Sequence, residues 1–155
     1  MEFIEQVDRA KELLEEALKT EDVWKAKIIR TKDLVIDRRV RFQCSHSGCR
    51  EYGKNFMCPP YISPVDEFQE VLAGYFMALI VQLKGDIKAE RNWEPEADAW
   101  ALRFHDIIYD LEKKAFSLNF PFASGLIGGS CKLCDPCFAA KGTSTSCRYP
   151  EKARP

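Results

Sequence analysis

Seven cysteines in two separate groups constrain this sequence more than any other feature. Because seven is an odd number, the cysteines cannot all pair with one another as disulfides. The chain has 155 residues, of which 46% are apolar, so it can bury a core without covalent staples. Clustered cysteines in such a chain more often hold metal or do redox chemistry than stabilise a fold. We therefore expect two metal-binding segments, at 44–61 and 128–150.

The second segment, 128–150, has the more informative spacing. Three cysteines follow at C-x2-C-x2-C and a fourth comes nine residues later: Cys131, Cys134, Cys137 and Cys147. Bacterial ferredoxins use this triple run, since a thiolate at every third residue of a tight loop reaches successive corners of a four-iron cluster. Gly128 and Gly129 would let backbone N–H groups approach the cluster sulfides. Zinc sites more commonly use separate C-x2-C pairs, and zinc, free thiols or redox disulfides are the alternatives here.

The first segment, 44–61, has the less stereotyped spacing C-x4-C-x8-C, formed by Cys44, Cys49 and Cys58. Two prolines follow Cys58 and stiffen the chain there. Three thiolates leave one iron of a four-iron cluster without a protein ligand. That position is open, is filled by His46, or is filled from beyond residue 155. With zinc, His46 would complete a Cys3His set; otherwise we expect His46 to face solvent in a loop.

Hydrophobic periodicity predicts the elements around these segments. We expect helices over 2–19, from Ser63-Pro64 to about Ala73, and from 95 or 96 to about Asn119, and a loop over 40–63. We expect strands over 24–30 and 33–36, as a hairpin or two short strands, and over 75–83 and 122–128. The continuous apolar run at 75–83 is typical of a strand buried on both faces, and its order with the long helix and the last strand favours a right-handed crossover. We predict a single domain over 1–155 with an α+β (or small α/β) fold, in which helices cover a mixed sheet.

Composition argues against several classes of function. The 23 Lys and Arg residues are interspersed with 24 Asp and Glu residues, and a chain without a basic block is not expected to bind nucleic acid. No apolar run reaches the roughly 20 residues that span a bilayer, and the N-terminus has no hydrophobic signal core. We expect a cytoplasmic protein with neither nucleic-acid nor membrane partners.

Few other side chains point to chemistry. His105 falls near the apolar stripe of the long predicted helix, so we expect it to be packed rather than catalytic. Asp98, Asp106 and Asp110 recur at helical spacing, as the solvated face of a helix would. The aromatic residues Tyr52, Phe56, Tyr61 and Trp93 would either shield a cluster from water or fill the core. No catalytic residue is assigned from the sequence.

Taken together, the motifs resemble those of DUF2284, a family of predicted metal-binding proteins. The resemblance runs from about residue 30 onward and keeps the order and spacing of all seven cysteines. It is carried by Cys44 through Cys49, Tyr52-Gly53, Cys58-Pro59-Pro60-Tyr61, Ser63-Pro64, Gly129 through Cys137, Cys147-Arg148-Tyr149-Pro150 and Arg154-Pro155. The family pattern continues past Arg154-Pro155. The resemblance therefore implies a C-terminus trimmed relative to the family, beyond which an eighth cysteine would close the first site.

Three functions are compatible with these features. The first is electron transfer or an accessory redox role, with two 4Fe-4S clusters and a redox partner protein. The second is an enzyme in which an open iron acts as a Lewis acid on a small-molecule substrate. The third is a structural or regulatory zinc protein. Paired clusters must lie close together to exchange electrons, so the first function predicts that the two cysteine segments converge. The sequence fixes no oligomeric state.

Overall fold

A two-stranded antiparallel sheet and five helices make up the regular elements of the computed structural model, which describes residues 2–88, 90–142 and 146–155. Strand β1 (Val23–Arg30) pairs with β2 (Met77–Leu83), which places Ile28 opposite Leu79. The helices are α1 (Glu2–Lys19), α2 (Arg38–His46), α3 (Val65–Ala73), α4 (Glu94–Ser117) and α5 (Phe138–Lys141), and a 3-10 turn spans Thr31–Asp33. The predicted α+β class is confirmed, and the sheet is antiparallel rather than mixed.

Helices α1 and α4 pack against one face of the sheet. The centre of this core is formed by Ala17, Ile107 and Leu111, which are at most 7% exposed. Around them pack Leu13 of α1 and five sheet residues: Val23, Ala26, Leu79, Val81 and Leu83. Burial of each large aliphatic side chain contributes about 1.5–3 kcal/mol. The predicted helices over 2–19 and from 95 or 96 to about 119 are thus confirmed to within two residues at each end. Their apolar stripes pack against the sheet, which is why hydrophobic periodicity predicts them.

The predicted strand over 33–36 does not form. Strand β1 ends at Arg30, and Thr31 is held beside the residues that precede β2, because its backbone N–H donates to the Phe76 carbonyl at 3.1 Å and its hydroxyl donates to the Tyr75 carbonyl. The chain then turns through the 3-10 segment and continues without a ladder. The partner of β1 is therefore β2, which lies more than 40 residues away, rather than a neighbouring hairpin strand.

The predicted strand over 122–128 is also absent. Its backbone groups find separate partners: the Gly125 N–H donates to Glu112, and the Ile127 N–H donates to the Pro155 carbonyl at 2.8 Å. The Phe122 carbonyl accepts a hydrogen bond from the Tyr75 hydroxyl. With no strand there and an antiparallel sheet, the expected right-handed crossover and the α/β alternative are both wrong.

Two further expectations need correction. Strand β2 is not buried on both faces, because Ile80 is 38% exposed and Gln82 is exposed too, so one sheet face meets solvent. The expected loop over 40–63 begins inside a helix, since α2 runs to His46 and carries Cys44. Asp37 caps α2 by accepting a hydrogen bond from the Arg39 backbone, which stabilises the first turn of a helix.

His105 is packed, as predicted, with no exposed surface. Burial and, to a lesser degree, the positive charge of Arg154 lower the pKa of its ring. Neither ring nitrogen makes a well-formed hydrogen bond among the described residues, and the Lys152 backbone only weakly favours the protonated form. Separately, none of the described helices combines the length and apolar composition that crossing a membrane requires.

Candidate metal centre

The first cysteine segment places its three thiols on different local structures. Cys44 is half-buried in the last turn of α2, and the chain leaves this helix through Gly48, whose φ of +71° lies in the left-handed region that favours glycine. Cys49 is exposed just beyond that turn. Cys58 is half-buried, and its backbone N–H donates to the Asn55 carbonyl at 3.0 Å.

The pKa of Cys58 responds to the charge of the other thiols of the first segment. Its pKa is raised to about 12, chiefly by burial and next by the negative charge of Glu51. Smaller contributions come from Cys49, Cys44 and Cys131, the last of which belongs to the second segment. Several groups that would be negative therefore share this region, and a cation bound among them would favour the thiolate forms.

The four thiols of the second segment line one enclosed cavity. Cys131 is buried, and the other three are half-buried. The remaining walls are mostly apolar, and the lining residues other than cysteine are Asn55, Phe56, Met57, Leu133, Phe138 and Arg148. The sequence thus folds so that thiols spread over 17 positions of the chain share one small space from which most water is excluded.

Hydrogen bonds and charge around the second cavity suit sulfur that carries negative charge. Burial raises the pKa of Cys131, as do the neighbouring cysteines, while a hydrogen bond from the Leu133 backbone lowers it. The Tyr149 backbone N–H donates to Sγ of Cys147 at 3.4 Å. For Cys134, burial raises the pKa most, and the positive charges of Arg148 and Lys141 oppose that effect. N–H donors and cations are the groups that stabilise cluster sulfur.

The two cysteine segments are in contact, as predicted for a protein with two clusters that exchange electrons. The side chain of Asn55, in the first segment, donates to the Cys131 carbonyl at 2.8 Å. Lys132, in the second, lies 3.3 Å from a carboxylate oxygen of Glu51. Sequence reasoning assigned no role to Asn55, Glu51 or Lys132, because nothing in their flanking residues signals a contact about 80 positions away.

Helix geometry separates His46 from the first set of thiols. Residues two apart on an α-helix point in nearly opposite directions, so His46 and Cys44 lie on opposite sides of α2. His46 is exposed, stacks on Phe42 with ring centroids 3.8 Å apart, and shares a hydrogen bond between Nδ1 and Ser45 Oγ. It faces solvent as expected, although from a helix rather than a loop.

The donor chemistry fits a sulfur-ligated group. All seven cysteines are free thiols, and the second cavity has no carboxylate among its lining residues. Within residues 2–88, 90–142 and 146–155, no group of three or more His, Cys, Asp or Glu side chains is drawn together closely enough to hold a single metal ion. Of the four aromatic residues considered as shields, Phe56 lines the second cavity, whereas Tyr52, Tyr61 and Trp93 are exposed.

The fold and the thiols define a cysteine-rich α+β protein with the donor set of a metal-binding protein. Comparison with protein families matches residues 27–155 to the family described as "Predicted metal-binding protein (DUF2284)". The match covers most of the chain, so the protein belongs to the DUF2284 family, and the resemblance of its motifs is confirmed. Comparisons with curated proteins and with solved structures gave no match.

Proposed function

We propose that this protein binds two 4Fe-4S clusters and acts in electron transfer or as an accessory redox protein. The observation that carries the proposal is the enclosed cavity lined by Cys131, Cys134, Cys137 and Cys147. A single zinc ion is satisfied by two separate C-x2-C pairs, whereas the C-x2-C-x2-C run matches the ligand pattern of a four-iron cluster. When bound, such a cluster supplies one-electron transfer.

The surrounding residues would hold the second cluster and set its potential. The backbone N–H groups of Leu133 and Tyr149 are placed to donate to cysteine sulfur, which favours the more negative, reduced state. Phe138 and Phe56 form apolar walls of the cavity and exclude water. Arg148 also lines it, and its positive charge offsets the charge of the thiolates.

The first segment would hold the other cluster through Cys44, Cys49 and Cys58. The charges that act on Cys58 are the negative ones of Glu51 and of neighbouring thiols, and a bound cationic group would offset them. Three thiols supply one ligand fewer than the second segment does, and His46 lies on the far side of α2 from Cys44.

The three-thiol site favours an enzyme as the second candidate. A groove of about 330 Å³, a volume typical of small-molecule sites, adjoins the first segment. Its lining residues are Arg38, Arg41, Phe42, Ser45, Tyr52, Val65 and Asp66. The guanidinium of Arg41 is fixed there by the Ile62 and Ser63 carbonyls, the shorter contact being 2.9 Å. None of the three thiols lines the groove, but Ser45 does and is the neighbour of Cys44, so a small-molecule substrate bound there would have to extend to the metal position that three thiols leave free.

Metal and sulfide analysis of protein purified without oxygen tests the proposal. We expect iron and acid-labile sulfide in near-equal amounts, with an electron paramagnetic resonance signal after reduction. The Cys134→Ser variant should lose about half of both, because one of the two clusters is lost. Stoichiometric zinc without sulfide would overturn the proposal and leave a structural or regulatory zinc protein. Oxygen-free preparation matters because emptied thiolate sites bind zinc well.

A further inference from the structure

The two cysteine sites share a wall. Asn55, Phe56 and Met57 line the cavity of the second-segment cysteines, yet they belong to the first segment. The next residue in the chain is Cys58, one of the three thiols of the first site. A ligand that restrains Cys58 would therefore also restrain the neighbouring residues that line the second cavity.

Asn55 is the centre of this shared wall. It is 2% exposed, and its side chain makes three hydrogen bonds. Its Nδ2 donates to the Cys131 carbonyl at 2.8 Å and to Glu51 at 3.1 Å, and its Oδ1 accepts from the Met57 backbone at 3.0 Å. These hydrogen bonds hold the three partners in one arrangement, because a buried polar group that loses its hydrogen bond costs free energy.

A second contact runs parallel to the first. The ammonium group of Lys132 lies 3.3 Å from carboxylate oxygens of both Glu51 and Asp98. Lys132 is the neighbour of Cys131, Glu51 belongs to the first segment, and Asp98 lies on α4. The lysine side chain is 21% exposed, so this contact joins both cysteine segments to the long helix at a half-buried point.

We propose that the two metal sites are coupled through Asn55, so that metal held by the first site slows the loss of metal from the second. This inference rests on the proposed metal sites and adds a linkage between them. Metal bound at Cys58 fixes the adjoining turn, and Asn55 transmits that order to Cys131 and to the wall of the cavity. Without metal at the first site, the wall opens more often and exposes the second site to solvent.

Release of metal to a chelator measures this coupling in the intact protein. Protein is purified without oxygen, and its iron, zinc and sulfide are measured first, which tests the proposed function by itself. Metal release is then followed in the unchanged protein and in Cys49→Ser, Asn55→Ala and the double variant. The phase that disappears in Cys134→Ser reports the second site. Gln82→Ala removes an exposed amide from β2 and serves as the matched control.

We expect Cys49→Ser and Asn55→Ala each to speed release from the second site by roughly 5-fold or more, a typical size for coupling between sites. The double variant should be no faster than the faster single variant, because both changes break the same linkage. Complete loss of second-site metal in Cys49→Ser, with helix content retained, is the strongest form of this result. If Asn55→Ala does not fold, Asn55→Ser leaves a smaller neutral polar side chain that cannot reach the same three partners.

Two results would overturn the coupling while leaving the proposed function intact. One is unchanged release from the second site in Cys49→Ser. The other is a double variant whose acceleration is the product of the two single effects, which would mean that the first site and Asn55 act independently. Protein that contains zinc and no sulfide would instead refute the proposed clusters, and the same release measurements on zinc would still decide the coupling.

Discussion

Arg154 and Glu112 form an ion pair in which the side chains are only 16% and 17% exposed. The Arg154 Nε donates to the two carboxylate oxygens at 3.0 and 2.8 Å, and a second guanidinium nitrogen contacts the same carboxylate. Glu112 also accepts the Gly125 N–H. One side chain of α4 thus holds both the 122–128 segment and Arg154, which lies seven positions after Cys147.

Replacing Arg154 with Ala should lower the free energy of unfolding by roughly 3 kcal/mol, because Glu112 is left largely buried without its cation. Urea denaturation followed by circular dichroism measures the change. Lys152→Ala is the matched control, since its ion pair with Asp106 is more exposed and should cost less than about 1 kcal/mol. Equal, small losses for the two variants would show that burial of the pair contributes nothing.

These contacts also explain why some parts of the fold could be predicted from the sequence and others could not. Helices α1 and α4 are predictable because each carries its own apolar stripe. The 122–128 segment has the composition of a strand, yet its backbone partners are Glu112, Pro155 and Tyr75. Those partners come from three distant parts of the chain, and no local pattern encodes them.

The ion pairs of charged residues on α4 also could not be predicted from local sequence. Asp106 and Asp110 are exposed, as the spacing of a solvated face predicts, but the spacing does not predict that Asp98 and Asp106 pair with Lys132 and Lys152 of the C-terminal part of the chain. The cysteine groups could be predicted because the spacing of metal ligands is a local sequence pattern. The role of Asn55 could not be predicted, because its burial and its hydrogen bond to Cys131 exist only when the two segments are in contact.

Serine substitutions at Cys134 and Cys49 should have different effects. Cys134 lines the enclosed cavity whereas Cys49 is exposed, so loss of the second cluster should remove more folding free energy than loss of the first. We expect Cys134→Ser to melt at a clearly lower temperature, and Cys49→Ser mainly to remove one redox signal or an activity. Thermal melts and redox titrations under nitrogen measure both effects. Equal losses of stability would contradict this difference.

Metal removal should loosen α2 before it loosens the rest of the fold. No residue of α2 is buried, and only Arg41 and Cys44 are half-buried, so little packing holds this helix apart from what Cys44 would bind. We expect chelation to raise amide hydrogen exchange in α2 and the following turns, while the core of α4 keeps its protection. Hydrogen exchange with mass spectrometry measures both regions in one sample. Equal deprotection of α2 and α4 would mean that metal supports the whole fold uniformly.

Acid should destabilise the protein through His105. The ordinary pKa of the ring is 6.5, and in the folded protein burial and Arg154 lower it, while Asp106 opposes them and Lys152 acts both ways. Below pH 6.5 the unfolded chain therefore binds a proton that the folded chain does not. The contribution is fully present above that pH and is lost as the pH falls through the lowered value, by at most about 1.4 kcal/mol per pH unit.

His105→Leu isolates this effect, because it fills the site without a titrating group. Its free energy of unfolding should vary less between pH 7 and pH 5 than that of the unchanged protein, as measured by urea denaturation at each pH. His46→Gln removes an exposed histidine and serves as the matched control. The difference between the two variants also removes the contribution of the cysteines, which both of them retain. A pH profile in His105→Leu identical to that of the unchanged protein would contradict the prediction, because it would mean that the ring takes up its proton at the same pH in the folded and the unfolded chain.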